Sequence, residues 1–272
     1  MTTGRRYFRS RTGVVGYMLM SLLLGMILFA DLLTPYEPFR SAGRPLQPPS
    51  IEHLMGTDDL GRDVWTQVLY GARTSLLVGL SVAGIAALIG SLIGGISGYT
   101  GGLVDDGLMR LTEFFQVLPR FFLAVLVVAF FGPGLRNLIF VLGLTSWTMI
   151  ARIMRAEVLS WRERDFVLAA RAIGARDGTI LRRHVLPNTL PALITAVSLL
   201  AGQAILIEAG LSFLGLGDPN RVSWGLLLNN ARTFLRTAWW MALFPGLAIT
   251  FAVLGLNLAG DGLNDAWNPK RQ

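Results

Sequence analysis

The sequence predicts an all-α, polytopic membrane protein with six transmembrane helices. Hydrophobic residues make up 53% of the chain and charged residues 15%, against roughly 25% charged in soluble domains. Four stretches run for about twenty residues or more without a charge, the length of helix that crosses a hydrocarbon core about 30 Å thick. A fifth long apolar stretch is divided by a glycine–proline turn into two further spans.

In chain order, residues 1–13 form a tail carrying Arg5, Arg6, Arg9 and Arg11, and Thr12 to Ala30 predicts a first transmembrane helix over 14–33. A basic segment before an apolar run also describes a secretory signal peptide. This run exceeds the usual length of about 7–15 residues, and Phe29-Ala30-Asp31-Leu32 offers no small-x-small cleavage site, so a retained anchor is expected. The polar loop 34–73 follows. Pro35, Pro38, Pro45, Pro48 and Pro49 make its start extended. Asp58 or Asp59 stands where it would cap a short helix, and His53 is expected to be structural.

The five-helix core is expected over 74–260. Thr74 to Val104 predicts the second span with a loop at its far end. Its Ala86, Gly90, Gly94 and Gly98 recur every four residues, so one stripe of small residues lets another helix approach closely. An interface with a subunit or bundle, and a bend or ordinary packing within this chain, both account for that stripe. Phe121 to Ala151 holds one charge, Arg136, inside Gly132-Pro133-Gly134-Leu135-Arg136-Asn137, a tight turn. Two spans, about 117–132 and 136–153, are expected there, because one helix of that length would overshoot the membrane by about half. Val185 to Ile207 and Thr237 to Gly260 are the fifth and sixth spans, and 261–272 is a second tail.

Six spans place both termini on one side. With the termini in the cytoplasm, 16 of the 24 basic residues fall on inside segments and 8 on outside ones, the asymmetry of the positive-inside rule. The net charge of +7, carried by 23 arginines and Lys270, thus reflects orientation in a membrane. Nucleic-acid binding would instead need clustered positives with interleaved aromatics on a soluble face, and is not expected. With no cysteine and only His53 and His184, the chain has a poor metal ligand set. Gly95-Ile96-Ser97-Gly98 matches a short pattern of intramembrane serine proteases. A serine nucleophile needs a base in reach, and both histidines fall in extramembrane loops. A secondary transporter would show inverted repeats, and none is evident.

The inside segment 156–188 is the most informative. From Asp165 to Arg183 a helical pattern sets Phe166, Ala169, Ala170 and Ile173 along one side, with Arg171, Arg176, Arg182 and Arg183 elsewhere. Gly174 lowers helix propensity by about 1 kcal/mol relative to alanine, so a bend or helix-to-helix joint is expected there. Pro187 and Pro191 close the element. A short helix with a small-residue patch suits a partner's groove; an amphipathic helix resting on lipid has the same periodicity. Within the fifth span, Glu208 and Gln203 are candidates to line a translocation pathway. An unpaired carboxylate at mid-membrane costs about 2.5–3.5 kcal/mol, although Glu208 at a helix end would be interfacial. His184 is expected to make a structural hydrogen bond or helix-end contact.

Ala169-Ala170, three residues, Gly174, nine residues, His184, then Leu186-Pro187-Asn188 resembles the EAA signature of binding-protein-dependent ABC importer permeases. Other segments resemble the dipeptide/oligopeptide/nickel branch and its C-type subunit. These are Gly56-Thr57-Asp58, Gly61-Arg62-Asp63-Val64, Tyr70-Gly71-Ala72-Arg73, the run Glu208 to Gly217, Ser223-Trp224-Gly225 and Gly260-Asp261-Gly262-Leu263. The likeness runs from about residue 14 to the end. It departs from the pattern at Leu168, where a glutamate is common, at Leu54-Met55, and in a shortened Asp218 to Val222.

The resemblance implies a MetI-like type I ABC importer permease fold in a prokaryotic inner membrane, surrounded by lipid. It implies a coupling helix in 156–188 that docks in a cytoplasmic ATPase through Asp165, Ala169, Ala170, Gly174, Ala175, His184, Leu186 and Pro187. It further implies a homologous second permease, two ATP-binding subunits and an extracytoplasmic solute-binding protein, with peptides or similar small solutes as cargo. ATP and magnesium would sit on the partner subunits, leaving this chain without cofactor or catalysis. The chain has no Walker A loop, and its only lysine is Lys270.

Overall fold

The computed structural model describes residues 11–267, and among them every regular element is a helix. Helix α1 spans Arg11–Leu28 and α2 is the single turn Ala30–Leu33. The longest element, α3, runs over Val64–Thr100, and α4 (Gly102–Val117), α5 (Arg120–Phe131) and α6 (Leu135–Arg162) follow. A compact segment then holds α7 (Asp165–Ala172), α8 (Asp177–Ile180) and a π-helical turn, Leu181–Val185. Helix α9 (Leu186–Phe213), α10 (Trp224–Ala231), a 3₁₀ turn (Arg232–Phe234) and α11 (Trp240–Trp267) complete the chain.

Four helical stretches are long and apolar enough to cross a membrane: Val64–Thr100, Leu135–Arg162, Asp177–Phe213 and Trp240–Ala266. Counting the pair α4 and α5, bent by 70°, as one broken span brings the number to five. The apolar Gly13–Leu28 is shorter, so the expected count of six is not reached by length alone. Leu28, Phe114, Val117, Phe130 and Phe131 are each more than half exposed, a surface suited to hydrocarbon rather than water.

Three boundaries depart from expectation. Helix α3 begins at Val64, ten residues before the expected second span, because Asp63 caps it: its Oδ2 accepts from the Thr66 amide at 2.8 Å and the Thr66 hydroxyl at 2.7 Å. Neither Asp58 nor Asp59 caps a helix. Asp58 Oδ1 instead accepts from the amides of Leu60 and Arg62 in a tight turn. The third span, expected over about 117–132, is helical over Arg120–Phe131 and is set off from α4 by a break at Leu118-Pro119, where proline disfavours helix at the residue before it. The turn between α5 and α6 falls on Gly132-Pro133-Gly134 as expected, with Gly132 at φ +84°.

At roughly 55 Å, α3 exceeds the hydrocarbon core and projects beyond it. The proline-rich loop wraps this projection. The Thr34 and Thr66 hydroxyls pair at 2.5 Å, Gln67 Nε2 donates to Pro38 O and Asp58 Oδ2, and Trp240 Nε1 donates to Thr57 O. His53 is buried as a structural residue, its ring nitrogen donating to Asp63 Oδ1 at 2.9 Å. Along their length α3 and α6 form the largest helix interface, and α11 packs on α1 and α9.

Candidate functional site

The segment after α6 is a small, anchored projection. Val158 of α6 and Val167, Ile180 and Val185 are fully buried together, with Tyr99, Trp161, Ala170, Ala175 and Leu186 packed around them. That cluster fixes the base. On the opposite side of α7, Phe166 and Leu168 are each 44% exposed and Ile173 is 86% exposed, with Ala169 and Ala172 exposed between them.

Gly174 sets the shape of the projection. It ends α7 at φ +83°, and Ala175 N donates to Ala170 O while Gly174 N donates to Arg171 O. This is the Schellman geometry in which a left-handed glycine satisfies the last helical carbonyls. The chain then reverses into α8. The π turn runs on into α9, so Asp177–Phe213 behaves as one helix and the projection is continuous with a membrane span. Leu186 and Pro187 follow directly on the π turn and begin α9.

Polar contacts stiffen the base. Tyr99, in the last turn of α3, donates its hydroxyl to Asp177 Oδ1 at 2.6 Å. Arg162 Nη1 donates to the carbonyls of Gly98 and Tyr99, satisfying the C-terminal end of α3. Contact with Tyr99 raises the Arg171 pKa above its ordinary value, chiefly through a side-chain hydrogen bond. A groove of about 960 Å³ lies between these elements, lined by Tyr99, Arg162, Glu163, Arg171, Arg176 and Asp177 among others.

The eight expected docking residues fall within this one segment but play different parts. Ala169 and Gly174 are exposed; Ala170 and Ala175 belong to the anchored base. Asp165 is exposed in the first turn of α7. His184 packs its ring 6.4 Å from that of Phe166, and Asn188 Nδ2 donates to its carbonyl.

The glycine stripe faces the same chain. Carbon atoms added at Gly90, Gly94 and Gly98 would meet Trp147, Ile150, Ala151, Met154, Arg155 and Val158 of α6. Of the two accounts of the stripe, packing within the chain is the one the geometry matches. Sequence reasoning missed the bracket beside this seam. Arg155 holds Asp105 through two hydrogen bonds of 2.6 Å, and the Ser97 hydroxyl donates to the same carboxylate. Ser97 therefore bonds to an aspartate and not to a base of the kind a serine protease needs. The available signal was that Asp105 and Arg155 stand just beyond two expected span ends, at Val104 and about residue 153.

The two pathway candidates part company. Gln203 is exposed on α9. Glu208 is 1% exposed and lines no open route among the described residues. Its Oε1 accepts from the Ser212 hydroxyl at 2.6 Å and its Oε2 from Ser75 at 3.3 Å, while Ser75 Oγ accepts from the Trp224 amide. Burial is tolerated because these donors replace water. Glu208 thus joins α9 to α3 and to the start of α10.

Residues 90–272 match the family model described as binding-protein-dependent transport system inner membrane component. The chain is 39% identical over 265 residues to a dipeptide transport system permease protein, DppC, of Alkalihalophilus pseudofirmus, covering 96% of this chain and 87% of the relative. It is 39% identical over 269 residues to DppC of Bacillus subtilis, covering 98% and 84%. Among solved structures, an inward-facing form of the MetNI methionine ABC transporter shares the fold with a TM-score of 0.61. That match has 20% identity and covers 72% of this chain and 93% of the other.

Proposed function

The chain belongs to the family of binding-protein-dependent transport system inner membrane components, and on that premise we propose that it passes peptides or similar small solutes through a membrane, driven by separate ATPases that grip the segment 156–188. The chain is a multi-pass permease subunit of an ABC importer. In our reading it forms half of the route. A homologous permease forms the other half, two ATP-binding subunits holding ATP and magnesium lie on the cytoplasmic side, and a solute-binding protein delivers cargo from outside. Both tails, 1–13 and 261–272, then face the cytoplasm, with lipid around the spans; residues 1–10 and 268–272 of these tails lie outside the described residues.

The observation that carries the reading is the uncovered apolar tip Phe166, Leu168, Ala169, Ala172 and Ile173 on an anchored base. These residues cover the eight-residue helix and its C-cap Ile173, and Val167 on the other face fixes that helix to the ends of α6 and α9. Such a tip fits a groove in a partner protein. A partner that shifts the tip moves α7, and through Val167, Ile180 and Val185 it moves the end of α6 and the start of α9. ATP-driven motion outside the membrane would thus tilt spans inside it, while this chain catalyses nothing.

Ile173→Asp tests the reading, because the side chain is almost fully exposed and contributes little to the chain's own packing. In the assembled importer we expect peptide uptake to fall at least tenfold and the ATP-binding subunits to co-purify poorly, with unchanged amounts of the chain in the membrane. Uptake and co-purification at the unsubstituted level would refute the docking role.

A further inference from the structure

The broken third span holds a feature that neither the coupling segment nor the family match assigns. Helix α4 ends at Val117, α5 begins at Arg120, and their axes differ by 70°. A cavity of about 470 Å³ opens at this break, lined by Gln116, Arg120, Met149, Arg152, Ile153 and Ala156. No carboxylate lines it. Among the described residues neither Arg120 nor Arg152 forms an ion pair. Arg152 Nη1 donates to the neutral amide oxygen Gln116 Oε1 at 3.1 Å, and Arg120 is half-buried.

Depth makes this arrangement informative. Twelve residues of α5 separate Arg120 from the turn at Gly132, a rise of roughly 18 Å. Arg152 lies sixteen residues along α6 from Arg136, roughly 24 Å. Counted from that turn, the two arginines stand about 12 and 6 Å short of the far side of a hydrocarbon core about 30 Å thick, toward the end that the arginine asymmetry places inside. Two cations facing one cavity whose lining holds no carboxylate, Arg120 half-buried and Arg152 exposed, favour a counter-charge between them. The start of α5 adds to the same sign of field. Pro119 gives it no side-chain cap, so its first amides carry the positive end of the helix dipole. Half-helix N-termini in broken spans serve membrane transporters as seats for anionic groups.

We propose that Arg120 and Arg152, with Gln116 bracing Arg152, form a site at the inner end of the third and fourth spans for one anionic oxygen group, a carboxylate or a phosphate. A guanidinium carries paired donors suited to either oxyanion, and Met149, Ile153 and Ala156 supply the apolar part of the wall. The group comes either from the free carboxylate of a solute on the route or from the phosphate of a lipid. Only the first source rests on the importer reading.

The test uses the assembled importer in nanodiscs of phosphatidylcholine alone. The chain contains no cysteine, so Ala156→Cys places a single thiol of this chain on the cavity wall. A methanethiosulfonate carrying a sulfonate should label it about tenfold faster than one carrying a trimethylammonium, the scale on which a cleft of one sign concentrates counter-ions. That preference should vanish on adding Arg120→Gln and Arg152→Gln, and should largely survive Arg120→Lys with Arg152→Lys. Protection separates the sources. A solute site is protected by a dipeptide with a free carboxylate and not by its C-terminal amide; a lipid site is protected by phosphatidylglycerol in the disc. Either pattern supports the site, and lipid protection without peptide protection counts against the cargo alone. Equal or absent labelling by the two reagents, a preference unmoved by the glutamine substitutions, or protection by neither ligand overturns it.

Discussion

Gly94 and Gly84 sit on one helix, yet they have opposite surroundings. A Cβ on Gly94 would press on the Ala151 carbonyl oxygen and lie 2.8 Å from Met154 Cβ, whereas a Cβ on Gly84 meets nothing within 4 Å. Overpacking a tight seam costs about 1–3 kcal/mol, and replacing an unconstrained helical glycine by alanine gains up to about 1 kcal/mol. Gly94→Ala should therefore lower the thermal midpoint of the detergent-solubilised chain, and Gly84→Ala should leave it unchanged or raise it. The same direction of shift in both would contradict the seam. The four-residue spacing of Gly90, Gly94 and Gly98 was legible in the sequence. Their partner was not, because spacing reports a face and not what covers it. Glu208 shows the same limit. Its intramembrane charge stood out, but Ser75, 133 residues earlier in the chain, supplies a hydrogen bond that no local pattern reveals.

Among the elements, the spans were legible where hydropathy and helix coincide, and misplaced where they do not. Hydropathy marks contact with hydrocarbon, so the expected second span began at Thr74. Helix α3 begins at Val64 because Asp63 caps it and the proline-rich loop and Trp224 bury its polar first turns. The break at Leu118-Pro119 had a local signal in the proline, but the 70° angle depends on packing against α6. Asp63 is the element-scale hinge of this account. It holds the Thr66 amide and the buried His53 ring at once. Asp63→Ala should cost about 1–2 kcal/mol through the cap, with the unpaired histidine adding to it. Limited proteolysis should then cut within 34–62 several-fold faster, while cutting within 163–180 stays unchanged. Equal rates in both segments would show that Asp63 does not organise the proline-rich loop.

For the whole molecule, the division of labour is the claim that matters. The spans pack around the α3–α6 seam, one end is covered by the proline-rich loop and α10, and the other carries the α7 tip. The Ala-Ala-Gly spacing pointed to this tip from sequence, yet periodicity left it undecided between a partner's groove and a lipid surface. The anchored base and the Gly174 reversal are what favour the groove. The account requires that the tip face the ATP-binding side and be held there by a second protein. A photo-crosslinking amino acid at position 173, activated in intact cells, tests this directly. The account predicts one dominant adduct, between this chain and the ATP-binding subunit, lost when that subunit is deleted. An adduct with the solute-binding protein, or with lipid alone while the ATP-binding subunit is present, would contradict it.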